Sequence, residues 1–128
     1  MTIAFWCVLV AGLLPYTAIA IAKWDKTYLR HNGQPRDWEA KLSGVPSRAH
    51  AAHLNSFEAF PLFAVAVLIA AFCKSPQAIV DGIAIAFVVT RAVYIWCYVS
   101  DQATLRSLVW MAGLGLCIAL FVVAAFAR

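Results

Sequence analysis

Charged side chains are absent from residues 1–22, 59–73 and 107–127, and residues 82–100 contain one, Arg91. Crossing a bilayer as a helix takes about 20 mostly apolar residues. The first and last runs reach that length unaided. The second reaches it if its helix begins near Pro46 and carries a polar start, and the third if Arg91 is tolerated. The pattern predicts an all-α membrane protein, a bundle of four transmembrane helices near 3–28, 46–73, 77–100 and 104–127, in a single domain over 1–128. Hydrophobic residues make up 64% of the chain and charged ones 12%, against about 25% charged in a soluble domain.

The first run competes with a cleaved signal peptide. Such a peptide starts with basic residues before its apolar core. Here Lys23, Lys26 and Arg30 follow the run instead, which favours a spanning helix.

Basic residues also set the orientation. The first connection holds Lys23, Lys26, Arg30, Arg36, Lys41 and Arg48, the second only Lys74, and the third is the short SDQATLR. The first and third connections must share one side. The positive-inside rule makes that side cytoplasmic and leaves both termini outside. The net charge of +4 therefore reads as topology and lipid-headgroup contact, and no motif for nucleic acid is present.

The one sizeable loop, RHNGQPRDWEAKLSGVPS, carries Gly33, Pro35, Gly44 and Pro46 as turn signals. Within it RDWEAKL is suited to one or two helical turns at the membrane surface, and Trp24, Tyr28 and Trp38 suit the interface. Pro46 and Pro76 stand where helices start. Pro15 and Pro61 fall inside helices, where a membrane bundle tolerates them and a kink is expected.

Cys7, Cys73, Cys97 and Cys117 lie in or at the ends of apolar runs, and no pair has close metal-ligand spacing. Small buried hydrophobes are the expectation. Cys7 and Cys73 would both lie toward the outer side, which leaves a disulfide between them open. His50 and His53 read as interfacial or helix-packing residues, since no third His or Cys completes a zinc site. Trp96 and Trp110 read as packing or lipid-facing.

The polar residues inside the runs carry the functional question. Arg48, Asn55 and Glu58 are spaced seven and three apart, which places them on one helical face. Arg91, Tyr94 and Tyr98 form a second stripe, with Arg91 about 12 Å below the helix end at 1.5 Å per residue. Arg106 and Ser107 open the last helix on the same side, and Arg106, Trp110 and Gly113 share a face. A charge at mid-bilayer costs several kcal/mol even on lenient scales, about 2.5–3.5. Two explanations stand. Glu58 neutralises Arg91 as a structural pair, or the groups line a pocket open to the cytoplasmic leaflet. In that pocket Arg48, Arg91 and Arg106 outnumber Glu58 with Asp101 at the rim, which calls for an anionic ligand. The aromatics beside it suit a second, apolar ligand. A Ser107 nucleophile is not supported, because no His–Asp set accompanies it.

These residues carry a family resemblance. The run RAHAAHLNSFEAFPLF resembles the second-helix signature of the MAPEG family, the membrane-associated proteins in eicosanoid and glutathione metabolism, approximately E-R-x-x-R-A-x-x-N-x-x-E-x-x-P-x-F. The later RAVYIWCYVSDQATLRS is similar to its third-helix pattern R-x-x-[YH]-x-x-x-Y, followed by the Arg that opens the fourth helix. The loop QPRDWEAKLSG is similar in style to bacterial members, which points to a bacterial inner membrane.

The resemblance implies a homotrimer with glutathione sites at the subunit boundaries. It implies that Asn55 and Glu58 hold the peptide's polar groups, with Arg91, Tyr94 and Tyr98 lining the site; the polar stripes add Arg48 and Ser107 as ligand-binding candidates. Arg106 would stabilise the glutathione thiolate as the catalytic residue, since a nearby Arg lowers a thiol's pKa from about 8.5. Glutathione is then a co-substrate, and no metal is implied. The chain departs from the signature at Ala51, where many relatives carry a second Arg, and at Ser47, where they carry Glu. Lys23, Lys26 and Arg30 are the candidates for a first-helix Arg that grips glutathione in relatives. The expected function is a membrane-bound transferase or peroxidase, using glutathione or another anionic thiol on a hydrophobic second substrate, a lipophilic electrophile or hydroperoxide. The alternatives are a non-enzymatic lipid-binding or scaffold protein on the same fold, or a small transporter or channel subunit using Arg91 and Glu58.

Overall fold

The structure is a computed structural model that describes residues 1–24 and 33–127. Four long helices run α1 Ile3–Ala22, α3 Gly44–Phe72, α4 Gln77–Val99 and α5 Ala103–Ala125, with a short α2 at Pro35–Glu39. All four long helices have the length and apolar content to cross a membrane, and the protein is an all-helical membrane bundle. The expected end of the first helix near residue 28 falls outside the described residues, as do Lys26, Tyr28 and Arg30. The RDWEAKL turn forms as α2, but Trp38 is buried while Trp24 stands exposed.

Local chemistry accounts for the helix ends. The Thr2 hydroxyl accepts from the Phe5 amide at the start of α1. Pro46 sits in the first turn of α3, where its missing N–H has no intrahelical partner to lose. The C-termini of α3 and α4 share one motif. Ser75 N donates to Ala70 O and Lys74 N to Ala71 O, while Gln102 N donates to Cys97 O and Asp101 N to Tyr98 O. Lys74 and Asp101 occupy its left-handed position, at φ 56° and 58°, where glycine is usual.

α3 and α4 form the middle of the bundle. Each packs on α1 and on α5, while α1 and α5 scarcely meet among the described residues. Between the central pair, the fully buried rings of Phe63 and Phe87 stack 3.9 Å apart at 9°. Small residues of α1, Ala4, Cys7 and Ala11, close one side of this core, and Cys117, Leu120 and Ala124 of α5 close the other. Pro15 is buried within α1, and its carbonyl accepts a hydrogen bond from His53 Nδ1 of α3 at 2.7 Å. His53 is thus a helix-packing residue. All four cysteines are free thiols; Cys73 is exposed and the other three are buried.

At 29 residues α3 is about 44 Å long, against a hydrocarbon core of about 30 Å. The excess lies at its polar start, so Arg48 and His50 belong to the interfacial layer and Asn55 and Glu58 lie just inside the hydrocarbon. The outward faces present Leu9, Leu13, Leu68, Val89, Leu108 and Met111, an apolar surface suited to lipid.

Candidate functional site

The site is a groove walled by α3 and α5 and floored by α4. Its deepest charged group is Arg91, 4% exposed. One Nη2 donates to Asn55 Oδ1 at 3.1 Å and to Ser56 Oγ at 3.3 Å. Asn55 Nδ2 in turn donates to Glu58 Oε2 at 3.2 Å. Glu58 is therefore linked to Arg91 through the Asn55 amide. An amide can do this because it carries an acceptor and a donor on one plane. Among the described residues Arg91 Nε is buried with no hydrogen-bond partner, so the network leaves one strong donor over.

Aromatic rings connect Arg91 to the rim. Its guanidinium carbon lies 4.1 Å from the centroid of the Tyr94 ring. Tyr94 and Tyr98 meet edge-on, 5.2 Å apart. The guanidinium carbon of Arg106 lies 4.4 Å from the Tyr98 centroid. The spacing of Arg91, Tyr94 and Tyr98 at three and four residues keeps all three on one face of α4, and the first turn of α5 brings Arg106 over the last ring. Such ring faces attract a cation without neutralising it, because a quadrupole carries no net charge.

Two cavities adjoin this ladder. The outer one, about 440 Å³, is lined by Asn55, Tyr94, Tyr98, Arg106, Ser107, Trp110 and Met111. The inner one, about 190 Å³, is lined by Asn55, Glu58, Arg91 and Trp110 with the apolar Leu62, Phe87, Leu114 and Cys117 among its walls. Asn55 and Trp110 belong to both, so a polar mouth leads to a more apolar chamber.

Seven residues singled out in the sequence thus meet here: Asn55, Glu58, Arg91, Tyr94, Tyr98, Arg106 and Ser107. Arg48 lines neither cavity. Its Nε donates to Tyr98 O at 3.0 Å and its Nη2 to Val99 O at 3.3 Å, with Asp101 Oδ2 3.9 Å from Nη1. Of the first-helix candidates, Lys26 and Arg30 lie outside the described residues. Sequence reasoning passed over Ser56, whose signal was a lone hydroxyl among Ala49, Ala52 and Phe63 on the buried face of α3. Trp110, expected as packing or lipid-facing, lines both cavities, and its place one turn after Arg106 was the signal for that.

The family model described as MAPEG family matches residues 3–126. The chain belongs to the MAPEG family. Both sequence signatures of this MAPEG protein converge on the one groove, the second-helix run through Asn55 and Glu58 and the third-helix run through Arg91, Tyr94 and Tyr98. No curated protein and no solved structure matches the chain. The family covers glutathione-dependent transferases and peroxidases together with related members, so membership gives the setting of the site and leaves its chemistry to its residues.

Proposed function

We propose that the protein is a membrane-bound, thiol-dependent transferase or peroxidase, with glutathione as co-substrate and a lipophilic electrophile or hydroperoxide as second substrate. The observation that carries this reading is Arg106. Its guanidinium rests on the Tyr98 ring at the polar mouth, so its charge is held in place yet remains available to an anion. A thiolate seated there gains a fixed counter-charge, and the thiolate is the nucleophilic form. With an electrophile the thiolate sulfur forms a bond to carbon and the leaving group departs with its electron pair. With a hydroperoxide, two thiols become a disulfide while the peroxide is reduced to an alcohol and water. Arg106 supplies preorganised charge, and the groove holds both partners in reach.

Asn55 and Glu58 offer the polar contacts for the peptide part of the ligand, and Tyr94, Tyr98, Ser107 and Arg91 complete the wall. The apolar chamber beyond Trp110 suits the second substrate. Glu58 is exposed in a single chain. A carboxylate facing lipid is costly, which supports a homotrimer in which a neighbouring copy covers the groove. The style of the loop QPRDWEAKLSG supports a bacterial inner membrane, and the concentration of Lys and Arg before α3 supports an orientation with that loop cytoplasmic and the termini outside.

The test is to add glutathione to purified protein in detergent and follow thiolate absorbance in the ultraviolet against pH. The expected result is a bound thiol with a pKa well below that of free glutathione, abolished in Arg106→Ala while assembly persists. Absence of any thiolate at millimolar glutathione would move the reading to a lipid-binding scaffold on the same fold, which the apolar walls of the inner chamber would also suit.

A further inference from the structure

Arg48 sits in the polar start of α3, yet every direction of its guanidinium points at the end of α4. Two donors reach the carbonyls of Tyr98 and Val99, and the third nitrogen faces the Asp101 carboxylate. Two of the last four carbonyls of α4 thereby gain a charged donor, Tyr98 O beyond the bond it already accepts from the Asp101 amide, and a cation there also suits the helix dipole. Asp101 holds the left-handed position of that turn, a conformation that residues with a β-carbon resist. One residue joins this cap to the site. Tyr98 gives its carbonyl to Arg48 and its ring to Arg106.

We propose that Arg48 is a positioning residue that fixes the Tyr98 ring under the Arg106 guanidinium through the carbonyl end of α4, and does not itself hold the thiol ligand. The inference rests on the reading that Arg106 stabilises a thiolate. A planar fork that serves two carbonyls at once is particular to arginine. Lysine can reach one of them and keeps the charge facing Asp101.

The experiment compares wild type, Arg48→Met, Arg48→Lys and Tyr98→Leu as full-length protein in detergent, with two readouts. The first is the rate at which phenylglyoxal modifies Arg106, followed by peptide mapping. The expected result is a several-fold faster rate in Arg48→Met and Tyr98→Leu, and a rate near wild type in Arg48→Lys. An unchanged rate in Arg48→Met overturns the proposal. The second readout separates thiol affinity from thiolate formation. In Arg48→Met the half-saturating glutathione concentration, read at a pH below both bound-thiol pKa values, should stay within about twofold, while the bound thiol's pKa rises by about one unit, a tenfold loss of thiolate at that pH. Weaker binding at an unchanged thiolate pKa would make Arg48 a ligand contact and sink the idea. If wild type forms no thiolate, the thiol reading falls and the Arg106 modification rate alone judges Arg48. Should Arg48→Met fail to fold, Arg48→Gln takes its place: it loses the charge facing Asp101 and reaches one carbonyl at most, so a faster Arg106 modification is again expected and an unchanged rate again overturns the proposal.

Discussion

Asp81 Oδ1 accepts a hydrogen bond from the Ala4 amide at 2.7 Å, joining the first turn of α1 to the first turns of α4. Gln77 Nε2 donates to the same oxygen at 2.8 Å and holds the carboxylate in place. The Ala4 amide is one of the four donors that open a helix without an intrahelical partner, and a carboxylate there also suits the positive end of the helix dipole. Asp81→Ala should lower stability by about 0.5–2 kcal/mol, the usual range for losing such a cap. Asp81→Asn, which keeps the acceptor, should lose less. Thermal unfolding of both variants in detergent checks the order.

Lys74 closes α3 in the left-handed conformation, at φ 56°. A side chain there costs energy that glycine avoids, although glycine loses more freedom on folding. The first effect is the larger. Lys74→Gly should therefore stabilise the bundle, by roughly 0.5–1 kcal/mol after that offset. A rise in melting temperature is the expected observation, and a fall would mean that the lysine side chain has a stabilising role of its own.

The stacked pair of Phe63 and Phe87 joins the two central helices. Truncating Phe63 to Ala removes a fully buried ring and should cost about 3–5 kcal/mol. Phe87 also lines the inner chamber, so Phe87→Ala should enlarge that space as well as destabilise. Binding of a small apolar probe should increase in Phe87→Ala and not in Phe63→Ala.

Arg91 serves Asn55 and Ser56 through one nitrogen. Arg91→Met leaves those two groups without their charged donor, and hydrogen bonds to charged groups are each worth about 1.5–3 kcal/mol. Ser56→Ala removes one acceptor and should cost less. A melting series in which Ser56→Ala costs as much as Arg91→Met would show that the hydroxyl has a further role.

Much of this architecture is legible in the chain because the bilayer imposes it. The uncharged runs located all four long helices, with ends within a few residues where both are described. Helical spacing also put Arg91, Tyr94 and Tyr98 on one face, and Asn55 beside Glu58. What periodicity within one helix does not contain is the register between helices. The stripe that joined Arg48 to Asn55 was sound as geometry on α3. It could not reveal that the Arg48 guanidinium meets the carbonyl end of α4 and lines neither cavity. Arg91 likewise turned to Asn55 and Ser56, with the Asn55 amide standing between it and Glu58. Trp110 and Cys117 became cavity walls through the placement of α5 over α4, a choice made by packing.

The arrangement of α1 and α5 on opposite flanks of the central pair has an energetic consequence. Within one chain, substitutions at lipid-facing positions of these two helices share no partner among the described residues, so their effects on stability should simply add. Any interaction energy found in a double-mutant cycle between them would therefore have to come from contact between separate copies. Such a cycle is a ruler for assembly that needs neither ligand nor activity.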